Sequence, residues 1–305
     1  MISVVINCHN GLEYVPAAIT SVLAQTDRNW ELVFWDNAST EPVLDLVHKY
    51  GDSRIRCFRS EDFTPLGTAR NRALEQVRGD YIAFLDADDY WMPEKLAKQR
   101  QIFEADAEAG LVYTDAHIVY DGKVTKSVSR GTPPEGMVFE RLLAAYFLVM
   151  SSVMIRRTAL QSLTHWFDPR LEVTADYDLF VRIGSVWRVR CANEVLSAWR
   201  WHSAGTQMTK RRLIGLEKRL ILKKLRKEYP SLMGRHQPAV ERVRAKILIT
   251  MALSHYYAGH SRRARRMLRK SNKANLKGTL VYGATFFPSA LIDVAYRKLK
   301  GNPLV

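Results

Sequence analysis

The chain has 305 residues, 47% of them hydrophobic and 25% charged, with a formal net charge of +15. That balance excludes a chain dominated by disorder and allows a sizeable core, in one large domain or two smaller ones. Cys8, Cys57 and Cys191 are widely spaced and form no Cys-x-x-Cys pair, which excludes a disulfide framework and a zinc knuckle and reads as reduced thiols of a cytoplasmic protein.

The charge is unevenly placed. Residues 210–305 carry 24 Lys+Arg against 4 Asp+Glu, a net of +20, whereas residues 1–209 carry 22 against 27, a net of −5. Two parts with different partners are expected, residues 1–209 and a basic region, residues 210–305. Met1 leads directly into Ile2, Ser3, Val4, Val5 and Ile6, so no signal peptide is expected. The apolar run Leu142 to Ile155 is shorter than the ~20 residues a spanning helix needs, and no transmembrane segment is expected.

In chain order, Val4 to Cys8 reads as a strand, Tyr14 to Ala24 as an amphipathic helix, Trp30 to Trp35 as a strand and Glu41 to Tyr50 as a helix. Arg54 to Arg59 reads as a short strand, Gly67 to Val77 as a helix and Tyr81 to Leu85 as a buried strand. Glu94 to Asp106 reads as a helix and Gly110 to Tyr120 as a strand leading to a turn at Asp121 and Gly122. Strands alternating with helices of this length predict an α/β fold, a mainly parallel sheet flanked by helices with right-handed crossovers. Thr132 to Gly136 is a loop by composition, and Met137 to Trp201 is expected to mix short elements that cover the ligand edge.

From Lys210 the pattern is helical. Leu213, Leu216, Leu220 and Leu225 form one apolar stripe, and Val240, Val243, Ile247 and Met251 another. Tyr256 to His260 reads as a helix end and turn, Ser261 to Lys270 as an arginine-rich helix, and Leu280 to Leu299, interrupted at Pro288, as an interfacial helix.

The chemistry lies at strand ends. In YIAFLDADDYW the buried strand closes on Asp86, Asp88 and Asp89. Crowded carboxylates raise one another's pKa unless a cation offsets them, and Mn²⁺ or Mg²⁺ with substrate phosphates suits such ligands. The other reading is a solvated capping cluster ahead of the Pro93-led helix. Asp36, in WDNAST, can accept hydrogen bonds from a base or ribose, or serve as a turn residue. Asn7 and His9 end the first strand, where an ordinary loop is the alternative. Arg70, with Gly67 and Asn71 at a helix start, suits a diphosphate, or is a surface arginine. In TADYDLFVRI, Asp176 and Asp178 stand two apart on a helix and point in different directions, so Asp178 can be structural while Asp176 serves proton transfer. His202, in SAWRWHSAGT, is a candidate metal ligand or a structural histidine.

Taken together, SVVINCHNGLEYVPAAITSVLAQTDRNWELVFWDNAST, GTARNRAL, GDYIAFLDADDYWMPEKL, SSVMIRR, ADYDLFVRI and LSAWRWHSAGT, in that order over residues 1–209, resemble the family-2 glycosyltransferases, inverting enzymes of the GT-A fold. The resemblance implies that Asn7, His9 and Asp36 hold the base and ribose of a nucleotide sugar, with Asp86 near the ribose. It implies Asp88 on a Mn²⁺ or Mg²⁺ that bridges the diphosphate, His202 as a further metal ligand and Asp176 as the catalytic base. The common donors of similar enzymes imply a UDP-sugar. Two departures stand out: Ala175 replaces the first acid of the usual Glu-Asp pair, and Cys8-His9-Asn10 replaces the usual Thr-Tyr-Asn.

The basic region fits an anionic membrane surface, on the inner face of the cell membrane, or packs on the catalytic domain with a solvated basic face. A glycan or glycolipid acceptor would suit the first. Nucleic acid is a poorer match, because no zinc ligands, recognition helix or aromatic stacking motif accompany the charge. A binding module that has lost catalysis, supported by Ala175, and a nucleotidyltransferase are the competing functions; the second would need a glycine-rich phosphate loop that NCHNGLEY does not supply.

Overall fold

The structure is a computed structural model and describes residues 1–270 apart from 121, 129–130, 203–204, 206–208 and 211. It divides into two compact units, Met1–Thr209 and a second beginning at Lys210.

In the first unit the strands are β1 (Ile2–Cys8), β2 (Trp30–Asp36), β3 (Ile55–Arg59), β4 (Tyr81–Phe84), β5 (Tyr90–Trp91), β6 (Ala109–Tyr120), β7 (Lys123–Ser127), β8 (Met154–Arg156) and β9 (Arg188–Trp201). They form one sheet in the order β3-β2-β1-β4-β8-β6-β9-β5, with β7 paired to β6. The helices are α1 (Val15–Leu23), α2 (Val43–His48), α3 (Leu66–Leu74), α4 (Lys95–Ala105), α5 (Phe139–Ala144), α6 (Arg157–Gln161) and α7 (Ala175–Ile183), with a 3₁₀ turn at Met150–Ser152.

β1, β2, β3 and β4 are parallel, as the alternation of strands and helices predicts. All residues of β2 are buried and only Asn7 of β1 is not, because helices cover both faces. α1 turns Val15, Ala18, Ile19 and Val22 into the core against Val4, Ile6, Leu32 and Phe34. Each such valine or isoleucine contributes about 1.5–3 kcal/mol by leaving water. Register aligns the strand ends, with Cys8 opposite Asp36 and Asp36 opposite Arg59. At Gly79 the chain approaches β1 so closely that a Cβ would lie 2.6 Å from the Ser3 nitrogen.

The sheet is mixed beyond β4. β8 runs antiparallel to both β4 and β6, while β9 is parallel to β6 and β5 pairs antiparallel with β9. Residues 137–201 mix short helices and strands as expected, and β8 and β9 also enter the sheet, because Met154, Ile155, Val189, Leu196 and Ala198 need a buried face. The pairing of β4 with β1 and of β5 with β9, Tyr90 with Ala198 and Trp91 with Ser197, pins the two ends of the 86–89 loop between strands.

The second unit contains α8 (Leu213–Glu228), α9 (Pro230–Arg235), α10 (Gln237–Tyr257) and α11 (Ser261–Lys270). Val240, Val243, Ile247 and Met251 of α10 are buried as their spacing predicts, but on α8 the buried residues include Ile221, Leu222 and Leu225, and Leu216 is 53% exposed. Ala264 and Leu268 of α11 pack with Ile249, Ala252 and Tyr256 of α10, which leaves Arg262, Arg263, Arg266 and Arg269 exposed. Among the described residues no helix is long and apolar enough to cross a membrane. The segment Leu280 to Leu299 lies outside the described residues.

Candidate active site

The carboxyl ends of β1, β2 and β4 share one edge, and the acidic loop leaves it after β4. Oxygens of Asp86, Asp88 and Asp89 lie within 4.8 Å of one another. Asp86 and Asp88 keep 40% and 36% of their side chains exposed, and Asp89 is sealed at 0%. The Glu94 position, not Asp89, precedes α4, and its side chain makes no capping bond, so the acids do not form a helix cap.

Each acid has its own partners. Arg70, buried on α3, donates through Nη2 to Asp86 Oδ1 at 2.7 Å and stacks 5.4 Å from the Phe167 ring. It is a buried residue of the cleft, not a surface arginine. Asp88 Oδ2 lies 2.9 Å from His202 Nε2, and the Asp88 carbonyl accepts from Arg200 Nη1 at 3.0 Å. The Arg200 guanidinium in turn sits 4.9 Å over Tyr90 and 5.6 Å over Tyr14. Asp89 Oδ1 accepts the Arg200 N–H at 2.8 Å, and Oδ2 accepts the Ser151 hydroxyl.

Loss of water around Asp86 pushes its carboxyl upward; Arg70 opposes the shift and Asp88 adds to it. Burial raises Asp89 well above the usual carboxylate range, with Asp88 and Asp86 contributing. Negative charge concentrated in this way favours a bound cation. Two half-buried carboxylates, with an imidazole beside Asp88, form an oxygen-rich donor set that fits Mn²⁺ or Mg²⁺.

Asp176 occupies the first turn of α7. Its Oδ2 accepts the Tyr146 hydroxyl at 2.6 Å and its Oδ1 accepts the Tyr177 N–H at 2.8 Å. Its charge reaches Asp86. Burial, then Asp176 itself, hold the Tyr146 phenol well above its usual range, so it stays a donor. Asp178 faces the other way, as its two-residue offset predicts, and is buried against Arg182 at 2.9 Å.

The other predicted residues gather at the ends of β1 and β2. Asn7 Nδ2 is buried with no hydrogen-bond partner. His9 is exposed, with Nδ1 donating to the Asn37 carbonyl at 2.9 Å and its ring 4.5 Å from Phe63. Asp36 is 0% exposed; Oδ1 accepts the Ser39 N–H at 2.9 Å and Oδ2 accepts Arg59 Nη1 at 2.7 Å. Burial, with Asp36 second, pushes the Cys8 thiol up to about 12, which makes it inert. The structure thus brings Arg70 onto Asp86 and His202 onto Asp88, and sets beside the predicted residues Ser151, Arg200, Tyr146 and Arg59, which the sequence alone does not single out.

Residues 3–164 match the model of the family described as Glycosyl transferase family 2. The chain belongs to this family. Among curated relatives it is 30% identical over 211 residues to the UDP-Glc:alpha-D-GlcNAc-diphosphoundecaprenol beta-1,3-glucosyltransferase WfaP of Escherichia coli, covering 69% of this chain and 81% of that protein. It is also 30% identical over 166 residues to the putative teichuronic acid biosynthesis glycosyltransferase TuaG of Bacillus subtilis, covering 52% and 62%. Among solved structures, S. aureus TarS 1-349 in complex with UDP-GlcNAc superposes with a TM-score of 0.60 at 18% identity, covering 93% of this chain and 90% of that one. The mannosyltransferase PcManGT of Pyrobaculum calidifontis, in complex with GDP-Man and Mn²⁺, gives 0.63 at 16% identity, covering 99% and 87%. At those identities the superpositions speak for the fold, and the fold is GT-A. The enzyme is a nucleotide-sugar glycosyltransferase.

Proposed function

We propose that this family-2 glycosyltransferase moves a hexose from a UDP-sugar, with inversion, to a hydroxyl of a lipid-linked or surface glycan. The observation that carries the reading is the cluster of Asp86 and Asp88, with His202 beside Asp88, at the carboxyl end of β4, and the charge of Asp176 adds to the upward push on the Asp86 carboxyl. The donor and acceptor classes are supported by the relatives, since WfaP is named for UDP-Glc and a diphosphoundecaprenol-linked acceptor and TarS was solved with UDP-GlcNAc.

In this mechanism Asn7 and His9 face the base, and Asp36 acts through the loop it holds with Ser39 and Arg59. Asp86, fixed by Arg70, lies toward the ribose. Asp88 and His202 are the groups that would hold Mn²⁺ or Mg²⁺, which when bound offsets the charge of the leaving diphosphate. Asp176 takes the proton of the acceptor hydroxyl as it attacks the face opposite the diphosphate, and Tyr146 keeps that carboxylate aimed. Residues 1–209 are the catalytic domain in this reading. The basic region, residues 210–305, rests on anionic lipid at the inner face of the cell membrane, where a lipid-linked acceptor is met.

The test is calorimetry with a panel of nucleotide sugars, with Mn²⁺ and with chelator, on the wild type and Asp88→Ala. Metal-dependent binding of a UDP-sugar that Asp88→Ala abolishes is expected. Binding of no donor with metal present, or binding indifferent to both chelator and Asp88→Ala, would overturn the reading.

A further inference from the structure

Asp89 differs from its neighbours in what surrounds it. Its carboxylate is fully sealed, and both oxygens are taken by protein donors, the Arg200 N–H at 2.8 Å and the Ser151 hydroxyl. Its own N–H donates to the Asp86 carbonyl at 3.0 Å. The two donors each make a second tie to the same loop. Ser151 Oγ accepts the Asp86 N–H at 3.0 Å, and Arg200 Nη1 donates to the Asp88 carbonyl at 3.0 Å. Ser151 is itself fixed, because Trp91 Nε1 donates to its carbonyl at 2.6 Å.

One carboxylate therefore joins three chain segments: the loop after β4, the turn before β8 and the end of β9. Isolated, a buried carboxylate would cost several kcal/mol, so its donors must stay in place or the loop must move. His202 lies two residues beyond Arg200, with its Nε2 2.9 Å from Asp88 Oδ2.

We propose that Asp89 is a positioning residue, not a metal ligand: with Ser151 and Arg200 it forms a latch that fixes the spacing between Asp88 and His202, and so the affinity of the cleft for a divalent cation. The inference rests on the reading of Asp88 and His202 as metal-holding groups. It separates the three aspartates by role, two facing the cleft and one holding them there. Groups that orient metal ligands typically change affinity by about 10- to 100-fold when removed, without themselves touching the ion.

The experiment is Mn²⁺ binding in the presence of UDP, read by the EPR signal of free Mn²⁺, on full-length wild type, Ser151→Ala, Asp89→Asn and Phe103→Leu. Phe103→Leu loosens the core of the same unit away from the latch. Thermal unfolding of each protein without metal is measured in parallel. Ser151→Ala and Asp89→Asn are expected to weaken Mn²⁺ by comparable factors of about 10- to 100-fold, while Phe103→Leu lowers Tm and leaves Mn²⁺ affinity within about 2-fold. If Asp89→Asn abolishes binding and Ser151→Ala leaves it unchanged, Asp89 is a ligand and the latch is refuted. The latch is equally refuted if both of its variants lose Tm yet keep wild-type affinity, since their role is then only structural. Wild type that takes up no Mn²⁺ with UDP present would instead refute the metal-site reading itself.

Discussion

Substituting Asp176 and Asp178 separately by asparagine tests whether α7 carries one chemical and one structural acid. Asp178 and Arg182 are both 0% exposed, joined through Nη2 at 2.9 Å and Nε at 3.0 Å to the same Oδ2. The remaining Arg182 donors reach the carbonyls of His165, at 2.6 Å, and Trp166. Asp178→Asn leaves that guanidinium charged and buried against a neutral partner, a loss of about 3–5 kcal/mol. For a unit of this size about 2–4 °C accompanies each kcal/mol, so its Tm should fall by about 6–20 °C. Asp176→Asn keeps an oxygen for the Tyr177 N–H, and the Tyr146 hydroxyl can turn to accept from the new amide, so about 1 kcal/mol or less is lost. Turnover should nevertheless fall by about 10²- to 10⁴-fold with donor affinity retained. Scanning calorimetry, initial rates and donor titration read the three quantities. Equal losses of Tm in the two variants, or near-normal turnover in Asp176→Asn, would refute the division of roles.

Tyr146→Phe removes the hydroxyl held at 2.6 Å from Asp176, and should lower kcat by about 10-fold while the donor Kd stays unchanged; a loss confined to donor binding would place the tyrosine elsewhere in the reaction. Lys95 is 0% exposed, with Nζ donating to Gln99 Oε1 at 2.8 Å and lying 4.1 Å over the Trp91 ring, and burial holds its ammonium well below the usual range. The unfolded chain then binds a proton that the folded one releases, so stability rises with pH between the folded and unfolded values, by about 1.4 kcal/mol per pH unit. Lys95→Met removes that dependence: its gain in Tm over wild type should be largest at low pH and shrink toward pH ~10, and a gain indifferent to pH would contradict the buried ammonium. Replacing exposed Arg262, Arg263 and Arg266 by glutamine should weaken co-sedimentation with anionic vesicles by roughly 1 kcal/mol per residue, and wild-type protein without preference for anionic lipid would end the membrane reading.

What the sequence made legible follows from where the signals are local. β1, β2 and β4 are buried on both faces and so read as continuous apolar runs, and the acids that end β4 stand out against that run. The two-residue offset of Asp176 and Asp178 separates them on any helix. β8 has three residues, and its place between β4 and β6 is settled by pairings distant in sequence. On α8 the leucines misled, because Ile221 and Leu222 fill the interior while Leu216 faces solvent.

The layer behind the cleft was hidden for the same reason. Ser151 meets Asp89 across 62 positions, Arg200 meets Asp88 across 112, and Tyr146 meets Asp176 across 30. A serine, an arginine and a tyrosine each have bland local contexts, and only folding gives them partners. Asp89 shows the consequence most clearly. In sequence it is the equal of Asp86 and Asp88; in the fold it alone loses all contact with solvent, and the difference is made by two donors that no spacing rule could supply. An acidic motif therefore tells how many carboxylates are available to a cation, whereas the donors behind it decide how many remain free to bind one.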